Sequence, residues 1–175
     1  MRGSFEEGAG VDIGAMADLS QGDLRAQQSL ALRELIARLC AVGSPYWDVK
    51  LRDVGRIEAI EDITSLPFTV KKEFRDTYPS GMLAVPMGDV VRVHASSGTS
   101  GKPTIVAYTA ADVAVFAEVN ARSLALAGAT PESIVHVAYG YGLFTGGLGL
   151  HFGVEALGAT AVPASGGNPG FQVGL

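Results

Sequence analysis

The chain has 175 residues, 47% of them hydrophobic and 18% charged, a composition that suits one globular unit able to bury a core. A net charge of −5 and the lack of a basic patch argue against a nucleic-acid surface. One cysteine, Cys40, excludes an intramolecular disulfide and a multi-cysteine metal site, which fits a reducing cytoplasm. Cys40 is predicted to lie in or near the core, and neither a secretory signal nor a membrane-spanning stretch is predicted.

The first half of the sequence predicts short helices after a loose start. Residues 1–19 are rich in glycine and acid and are expected to be loose. Residues 20–23 resemble a capping box that opens a helix ended by Gly43, and further helices are predicted over about 45–54 and 69–77, with Thr69 as the cap of the last. The first helix has a predicted apolar face of Leu24, Leu30, Leu32, Leu35, Ile36 and Leu39. The last has a predicted solvated face of Lys71, Lys72, Glu73 and Arg75.

The second half alternates strand and helix. Strands are predicted at 90–95 and 104–108, and a capped helix begins at Thr109 and stops at Gly128. A buried strand is predicted at 134–138 and another strand at 160–163, separated by a helix. This order predicts an α/β fold, a layered and partly parallel mixed sheet with flanking helices.

The segment between the first two strands is built like a phosphate cradle. Its residues are Ser96, Ser97, Gly98, Thr99, Ser100, Gly101 and Lys102. Glycines let the backbone approach a ligand, successive N–H groups form an anion nest, and the hydroxyls and Lys102 add donors and charge. It is not a Walker A loop, because the glycine spacing differs, Pro103 follows the lysine, and strands flank it on both sides. The alternative is a flexible surface loop.

A second candidate site follows the strand at 134–138. Ligands bind at the carboxyl ends of strands in open α/β sheets, and the glycines here leave room between the aromatic side chains of Tyr139, Tyr141 and Phe144. An apolar pocket of this kind suits a flat aromatic acid, whereas the alternative is a glycine-rich helix entry with core aromatics. His94, His136 and His151 lack metal-ligand spacing and are expected to be structural, so no metal site is predicted.

Three long motifs carry a family resemblance. They are VRVHASSGTSGKPTIVAY at 91–108, LPFTVKKEFRDTYPSGMLAVP at 66–86 and HVAYGYGLFTGGLGLHFGVEALGATAVPASGGN at 136–168. In this order they resemble the phenylacetate–CoA ligases, a branch of the adenylate-forming acyl/aryl-CoA synthetases. The resemblance implies a ligase that uses ATP, Mg²⁺, coenzyme A and a small aryl acid, with Lys102 and Thr99 in catalysis. It also implies an acyl pocket made by Tyr139, Tyr141, Phe144, Gly146, Gly147 and Leu150.

The resemblance also predicts that most of the enzyme is missing, since family members are more than twice this length. Residues 20–175 are therefore expected to form an incomplete N-terminal α/β domain that is inactive alone. The adenine- and ribose-binding motifs and the small C-terminal domain would follow, so a missing C-terminal part or self-association is expected to cover the exposed edges. Two alternatives stand beside this hypothesis. One is a truncated non-catalytic remnant that acts by association, and the other is a small nucleotide-binding module that hydrolyses ATP or GTP.

Overall fold

The computed structural model describes residues 19–96, 103–167 and 169–174. The helices in these ranges are α1 (Gln21–Ala41), α2 (Pro45–Lys50), α3 (Lys71–Asp76), α4 (Ala110–Leu126), α5 (Gly146–Ala156) and α6 (Pro169–Val173). The strands are β1 (Val90–Ala95), β2 (Ile105–Thr109), β3 (Ile134–His136) and β4 (Thr160–Val162), and 3-10 helices occupy Ile60–Ser65 and Met87–Asp89. Two compact units result, a first unit that runs to Ala107 and a second unit that begins at Tyr108.

Helix α1 begins and ends as its sequence predicts. The Ser20 hydroxyl oxygen accepts a hydrogen bond from the Asp23 backbone N–H at 3.1 Å, and Gly43, just past the end, has a φ of 67°. Leu32 and Leu39 are buried on one side of the helix. Leu30 is half exposed, because two residues along a helix correspond to a rotation of about 200°. Cys40 follows the buried Leu39 by one residue, a rotation of about 100°, and is exposed, so the prediction of a cysteine in or near the core was wrong.

The segment that follows α2 is tethered to α1. The backbone N–H of Ile60 donates to the Ser29 hydroxyl at 2.9 Å, and that hydroxyl donates to the Arg25 carbonyl at 2.7 Å. The Asp62 carboxylate accepts from the backbone N–H groups of Glu58 and Ala59 at 2.8 and 3.0 Å, and these bonds hold its pKa below the usual range. The stretch Ile60–Ser65, between two predicted helices, is therefore a hydrogen-bonded 3-10 helix.

An ion pair joins α2 and α3. The Lys50 ammonium lies 2.5 Å from the Glu73 carboxylate and donates to the Phe68 carbonyl at 2.6 Å. Glu73 also accepts from the backbone N–H of Val70 at 2.7 Å, and Val70 rather than Thr69 is the residue that precedes α3. The Glu73 side chain is only 24% exposed, so its predicted place on a solvated face was wrong. Helix α2 ends at Lys50, four residues before the predicted end.

In the second unit, a parallel pair of strands packs with two helices. Strands β3 and β4 pair in register from Ile134 opposite Thr160 to His136 opposite Val162, which confirms the predicted parallel pairing. Ile134 and His136 of β3 are exposed, and only Val137, just past the strand, is fully buried at 1% exposure, so the prediction of a buried strand at 134–138 was wrong. Strands β1 and β2 form a separate two-stranded sheet.

Helices α4 and α5 approach closely because glycines line the contact. A Cβ on Gly149 would lie 2.7 Å from the Phe116 ring, and one on Gly153 would lie 2.5 Å from Asn120 Cβ. Helix α4 itself is capped by Thr109, whose hydroxyl accepts from the Asp112 N–H at 3.2 Å, as predicted. Within the described ranges, no helix is long and apolar enough to cross a membrane.

Candidate functional site

Two hydrogen bonds close the base of the predicted phosphate cradle. The backbone N–H of Ser96 donates to the Thr104 carbonyl at 3.0 Å, and the Thr104 N–H donates to the Ser96 hydroxyl at 3.0 Å. The cradle therefore leaves β1 and re-enters at β2, which confirms the predicted strand–loop–strand context. Of the cradle residues, Ser97, Gly98, Thr99, Ser100, Gly101 and Lys102 lie outside the described residues.

The strand that leads into the cradle is buried at its end. His94 is 2% exposed and Ala95 is 6% exposed, whereas Val91 and Val93 on the same strand are exposed. Burial at the end of β1 and the paired bonds between Ser96 and Thr104 fix the two points from which the cradle begins and ends.

The second candidate site begins where β3 ends, and its glycines are required by close packing. A Cβ on Gly146 would lie 2.6 Å from Cε1 of Tyr139, and one on Gly147 would lie 2.6 Å from the Gly140 carbonyl oxygen. A larger residue at Gly147 would push the loop backbone away from the first turn of α5, whereas one at Gly146 would displace the half-exposed Tyr139 ring. The structure thus brings Tyr139, Gly146 and Gly147 of the predicted pocket together.

The remaining predicted pocket residues lie on either side of this turn. Phe144 is 50% exposed and Tyr139 is 57% exposed, so each presents part of an aromatic ring to solvent. Leu150 is half-buried on α5, one helical turn after Gly146. The Tyr139 and Phe144 side chains are therefore accessible to a ligand and are not buried in a core.

Tyr141 is held differently from its aromatic neighbours. Its hydroxyl lies 3.2 Å from Nδ1 of His151, and Nε2 of His151 lies 3.2 Å from the Glu155 carboxylate. Burial, and then the nearby Glu155 charge, raise the pKa of the Tyr141 phenol, so it stays protonated at neutral pH. The sequence predicted only a structural histidine at 151. The contact between His151 and Glu155 could have been predicted from their four-residue spacing, because residues four apart lie on one helix face.

The loops after β3 and β4 meet at Ser165. The Ser165 N–H donates to the Val137 carbonyl at 3.0 Å, and the Tyr141 N–H donates to the Ser165 hydroxyl at 3.5 Å. Ser165 has a φ of 63°, a left-handed conformation that a non-glycine residue adopts at some cost. The Gln172 amide donates to the Ser165 carbonyl at 2.9 Å. The loops that carry the predicted site residues therefore lie at the carboxyl ends of two parallel strands, where α/β proteins bind ligands.

In the part of the chain that the structure describes, no group of three or more His, Cys, Asp or Glu side chains could hold a metal ion.

Comparison with known proteins shows that most of this chain is similar to part of several CoA ligases. No family model matches it. The chain is 53% identical over 161 residues to a phenylacetate-coenzyme A ligase of Thermus thermophilus, an alignment that covers 90% of this chain and 36% of that protein. It is 45% identical over 168 residues to a phenylacetate-coenzyme A ligase of Aromatoleum evansii, which covers 94% of this chain and 38% of that protein. The chain thus spans little more than a third of the length of these relatives.

A solved structure shares the fold. It is the 2-hydroxyisobutyryl-CoA ligase in complex with 2-HIB-AMP and CoA in the thioesterification state. The match has a TM-score of 0.77 at 26% identity and covers 87% of this chain and 34% of the other. The α/β fold predicted from the sequence is therefore shared with about a third of this CoA ligase.

Proposed function

This chain is homologous to the phenylacetate-coenzyme A ligases over most of its length, and from that premise we propose that it forms part of an AMP-forming aryl-acid CoA ligase. The observation that carries the proposal is the 53% identity over 161 residues, which includes both candidate sites. Residues 20–175 would be an incomplete N-terminal α/β domain. The single cysteine fits work in a reducing cytoplasm.

The proposed reaction has two steps. A carboxylate oxygen of the aryl acid attacks the α-phosphorus of ATP, the bond to the bridging oxygen breaks, and pyrophosphate leaves. The thiolate of coenzyme A then attacks the acyl carbon of the adenylate, and AMP leaves with the electrons of the broken C–O bond. No covalent enzyme intermediate is needed, so the protein contributes positioning and charge stabilisation.

The cradle would hold the β- and γ-phosphates of ATP. Lys102 supplies a positive charge, while Thr99 and the neighbouring serines supply hydroxyl donors. The hydrogen-bonded base made by Ser96 and Thr104 supports this role, because it fixes both ends of the loop on paired strands. Mg²⁺ would neutralise phosphate charge, and no described side-chain cluster fits it, so we assign it no protein ligand.

The acid would bind at the carboxyl ends of β3 and β4. Tyr139 and Phe144 present half-exposed rings there, and the glycines at 146 and 147 keep the loop close to α5. Tyr141 and Leu150 complete the proposed wall of the pocket. An aromatic wall with few polar groups favours the ring of an aryl acid such as phenylacetate.

Kinetics of the complete ligase that contains this sequence would test the cradle. Lys102→Ala is expected to raise the KM for ATP about 10-fold or more, since hydrogen bonds to charged groups contribute about 1.5–3 kcal/mol. Gly101→Val is expected to be worse, because a β-branched side chain blocks the approach of the backbone to a phosphate. Lys72→Ala is the matched control, since Lys72 is an exposed lysine paired with Asp76 on α3. Unchanged ATP kinetics in both cradle variants would refute the assignment.

A further inference from the structure

Tyr141, in the loop at 139–144, is held through both its side chain and its backbone. It lies between the two proposed wall residues, Tyr139 and Phe144, in sequence. Its hydroxyl lies 3.2 Å from His151 on α5, and its backbone N–H lies 3.5 Å from the Ser165 hydroxyl after β4. The Tyr141 and His151 rings also meet edge to face, with centroids 5.7 Å apart. The loop is thereby tied at one residue to two different elements.

Tyr141, His151 and Glu155 form a series, and the tautomer of His151 determines which atom donates and which accepts in each contact. In the tautomer whose proton is on Nε2, His151 donates to the Glu155 carboxylate oxygen, which accepts. Nδ1 is then the acceptor and receives the Tyr141 O–H. Every polar group in this series has a partner of the correct type, and the imidazole orientation is fixed from both sides.

The wall residues, by contrast, are weakly held by their own side chains. Tyr139 and Phe144 are 57% and 50% exposed, so burial alone does not fix where their rings lie. Tyr139 contacts the glycine surface at Gly146, a contact that exists only while the loop stays close to α5. The positions of both rings therefore depend on where the loop backbone lies. That backbone is held by the contacts of Tyr141 with His151 and Ser165.

We propose that Tyr141 and His151 are positioning residues that set the acid preference of this ligase through their hydrogen bond, by fixing the loop that carries Tyr139 and Phe144. Glu155 acts one step further away, by orienting the His151 ring. The inference rests on the proposed function, and it gives Tyr141 an anchoring hydroxyl in addition to its proposed place in the pocket wall. The hydroxyl itself is directed to His151 and needs no contact with the acid.

Tyr141→Phe in the complete ligase removes the hydroxyl and keeps the ring. The KM for phenylacetate is expected to rise about 3- to 10-fold, the usual range for a lost hydrogen bond between uncharged groups, with kcat and the KM for ATP unchanged. Discrimination between phenylacetate and short aliphatic acids is expected to fall by a similar factor. His151→Ala is expected to match it, and the double variant to add little, because both changes remove the same bond.

Two further variants sharpen the comparison. Glu155→Gln keeps an acceptor for the His151 Nε2–H and is expected to lie between the wild type and Tyr141→Phe. Asp76→Asn removes another exposed helical pair four residues apart, that with Lys72, and serves as the matched control. If Asp76→Asn shifts the acid preference as much as Tyr141→Phe does, the proposal is wrong.

Hydrogen exchange of the loop amides supplies a readout that does not depend on turnover. Tyr141→Phe is expected to speed exchange over 139–144 about 3- to 10-fold while the exchange of α4 is unchanged. An active wild type whose acid preference or loop exchange is the same in Tyr141→Phe overturns the positioning role and leaves the proposed function standing. A wild type without phenylacetate-dependent AMP release overturns the proposed function and, with it, any role in acid preference.

Discussion

The Lys50–Glu73 contact is the least exposed of the described ion pairs, with side chains 15% and 24% exposed. The Lys50 ammonium, and then the Val70 N–H, hold the pKa of the Glu73 carboxyl below its ordinary value of 4.5. The bond to Glu73 raises the pKa of Lys50 above 10.5 against the effect of burial. The Glu73 contribution to stability is therefore present above its unfolded pKa and is lost as pH falls through its lower folded pKa. The Lys50 contribution is lost only as pH rises through the raised value.

Replacing Glu73 tests the predicted loss of its stabilising contribution at low pH. Glu73→Gln is expected to speed amide exchange of α3 at neutral pH, because the pair with Lys50 is lost. The ratio of variant to wild-type exchange rates is expected to begin falling as pH drops below the unfolded value of about 4.5, and to approach one only below the lower pKa of the folded carboxyl. Asp76→Asn, at a pair whose partners are 72% and 54% exposed, is expected to change α3 exchange little. A ratio for Glu73→Gln that stays constant down to about pH 2 would contradict a lowered pKa for the folded Glu73 carboxyl.

Phe144 offers a second prediction at this scale. Phe144→Ala in the complete ligase is expected to lower the preference for phenylacetate over short aliphatic acids, because an aromatic surface at the proposed pocket is removed. The melting temperature is expected to change less than for a buried phenylalanine, since the ring is 50% exposed and a buried one costs about 3–5 kcal/mol. Specificity constants for phenylacetate, benzoate and an aliphatic acid would be compared. Constant ratios among them would place the pocket elsewhere.

At the level of elements, α5 is a helix whose sequence opposes helix formation. Gly147, Gly149 and Gly153 are all buried within it, and each lowers helix propensity relative to alanine by about 1 kcal/mol. Close packing with α4 and the preceding loop accounts for them, because at Gly149 and Gly153 a Cβ would overlap Phe116 or Asn120. The helix is thus held by what it packs against rather than by its own preference.

Gly153→Ala separates the effect of helix propensity from the effect of close packing against α4. Propensity alone favours alanine, but the added Cβ would lie 2.5 Å from Asn120 Cβ and 3.0 Å from the Asn120 backbone carbon. We expect a net destabilisation of about 1–3 kcal/mol, measured by denaturant unfolding of the complete protein. Gly22→Ala in α1 is the control, since its nearest described atom would be 3.7 Å away, and it is expected to be neutral or stabilising. A stabilised Gly153→Ala would show that α5 and α4 separate easily.

The elements were predictable where a local signal marks them. The caps at Ser20 and Thr109, the glycines at 43 and 128 and the parallel pairing of β3 and β4 all followed from short sequence patterns. The sequence failed where a distant contact decides the outcome. The sequence around Glu73 predicts a solvent-facing residue, but Glu73 pairs with Lys50 of another helix. The Tyr141–His151 hydrogen bond likewise joins a loop to a helix residue ten positions later in the chain. The pocket residues remain a prediction.

For the molecule as a whole, apolar surface is left uncovered in each unit. Phe68 is 93% exposed in the first unit, and Ile134 and Val173 are 74% and 89% exposed in the second. Each described sheet has two strands, so each of its strands pairs on one edge only. The relatives continue for nearly two thirds of their length beyond the region they share with this chain. We propose that such further chain covers part of this surface.

Residues 1–175 produced alone would test that proposal. They are expected to make no acyl-CoA from ATP, coenzyme A and phenylacetate, to bind ATP weakly, and to sediment as oligomers. Phosphate contacts alone are screened and hydrated, and exposed edges favour self-association. Analytical ultracentrifugation and an AMP-release assay would be run with and without the co-expressed remainder of the ligase. A monodisperse monomer that turns over would show that the site closes without further chain.

The meeting of two loops at Ser165 has a consequence for how substrate range can change. The anchors of the loop at 139–144, which are Gly146, His151 and Ser165, all lie between Val137 and Gln172. If this loop selects the acid, its selectivity is encoded in one uninterrupted stretch of chain together with the contacts that hold it. A single recombination between relatives could then transfer acid preference as an intact cassette, whereas point substitutions in the loop alone would leave its supports mismatched.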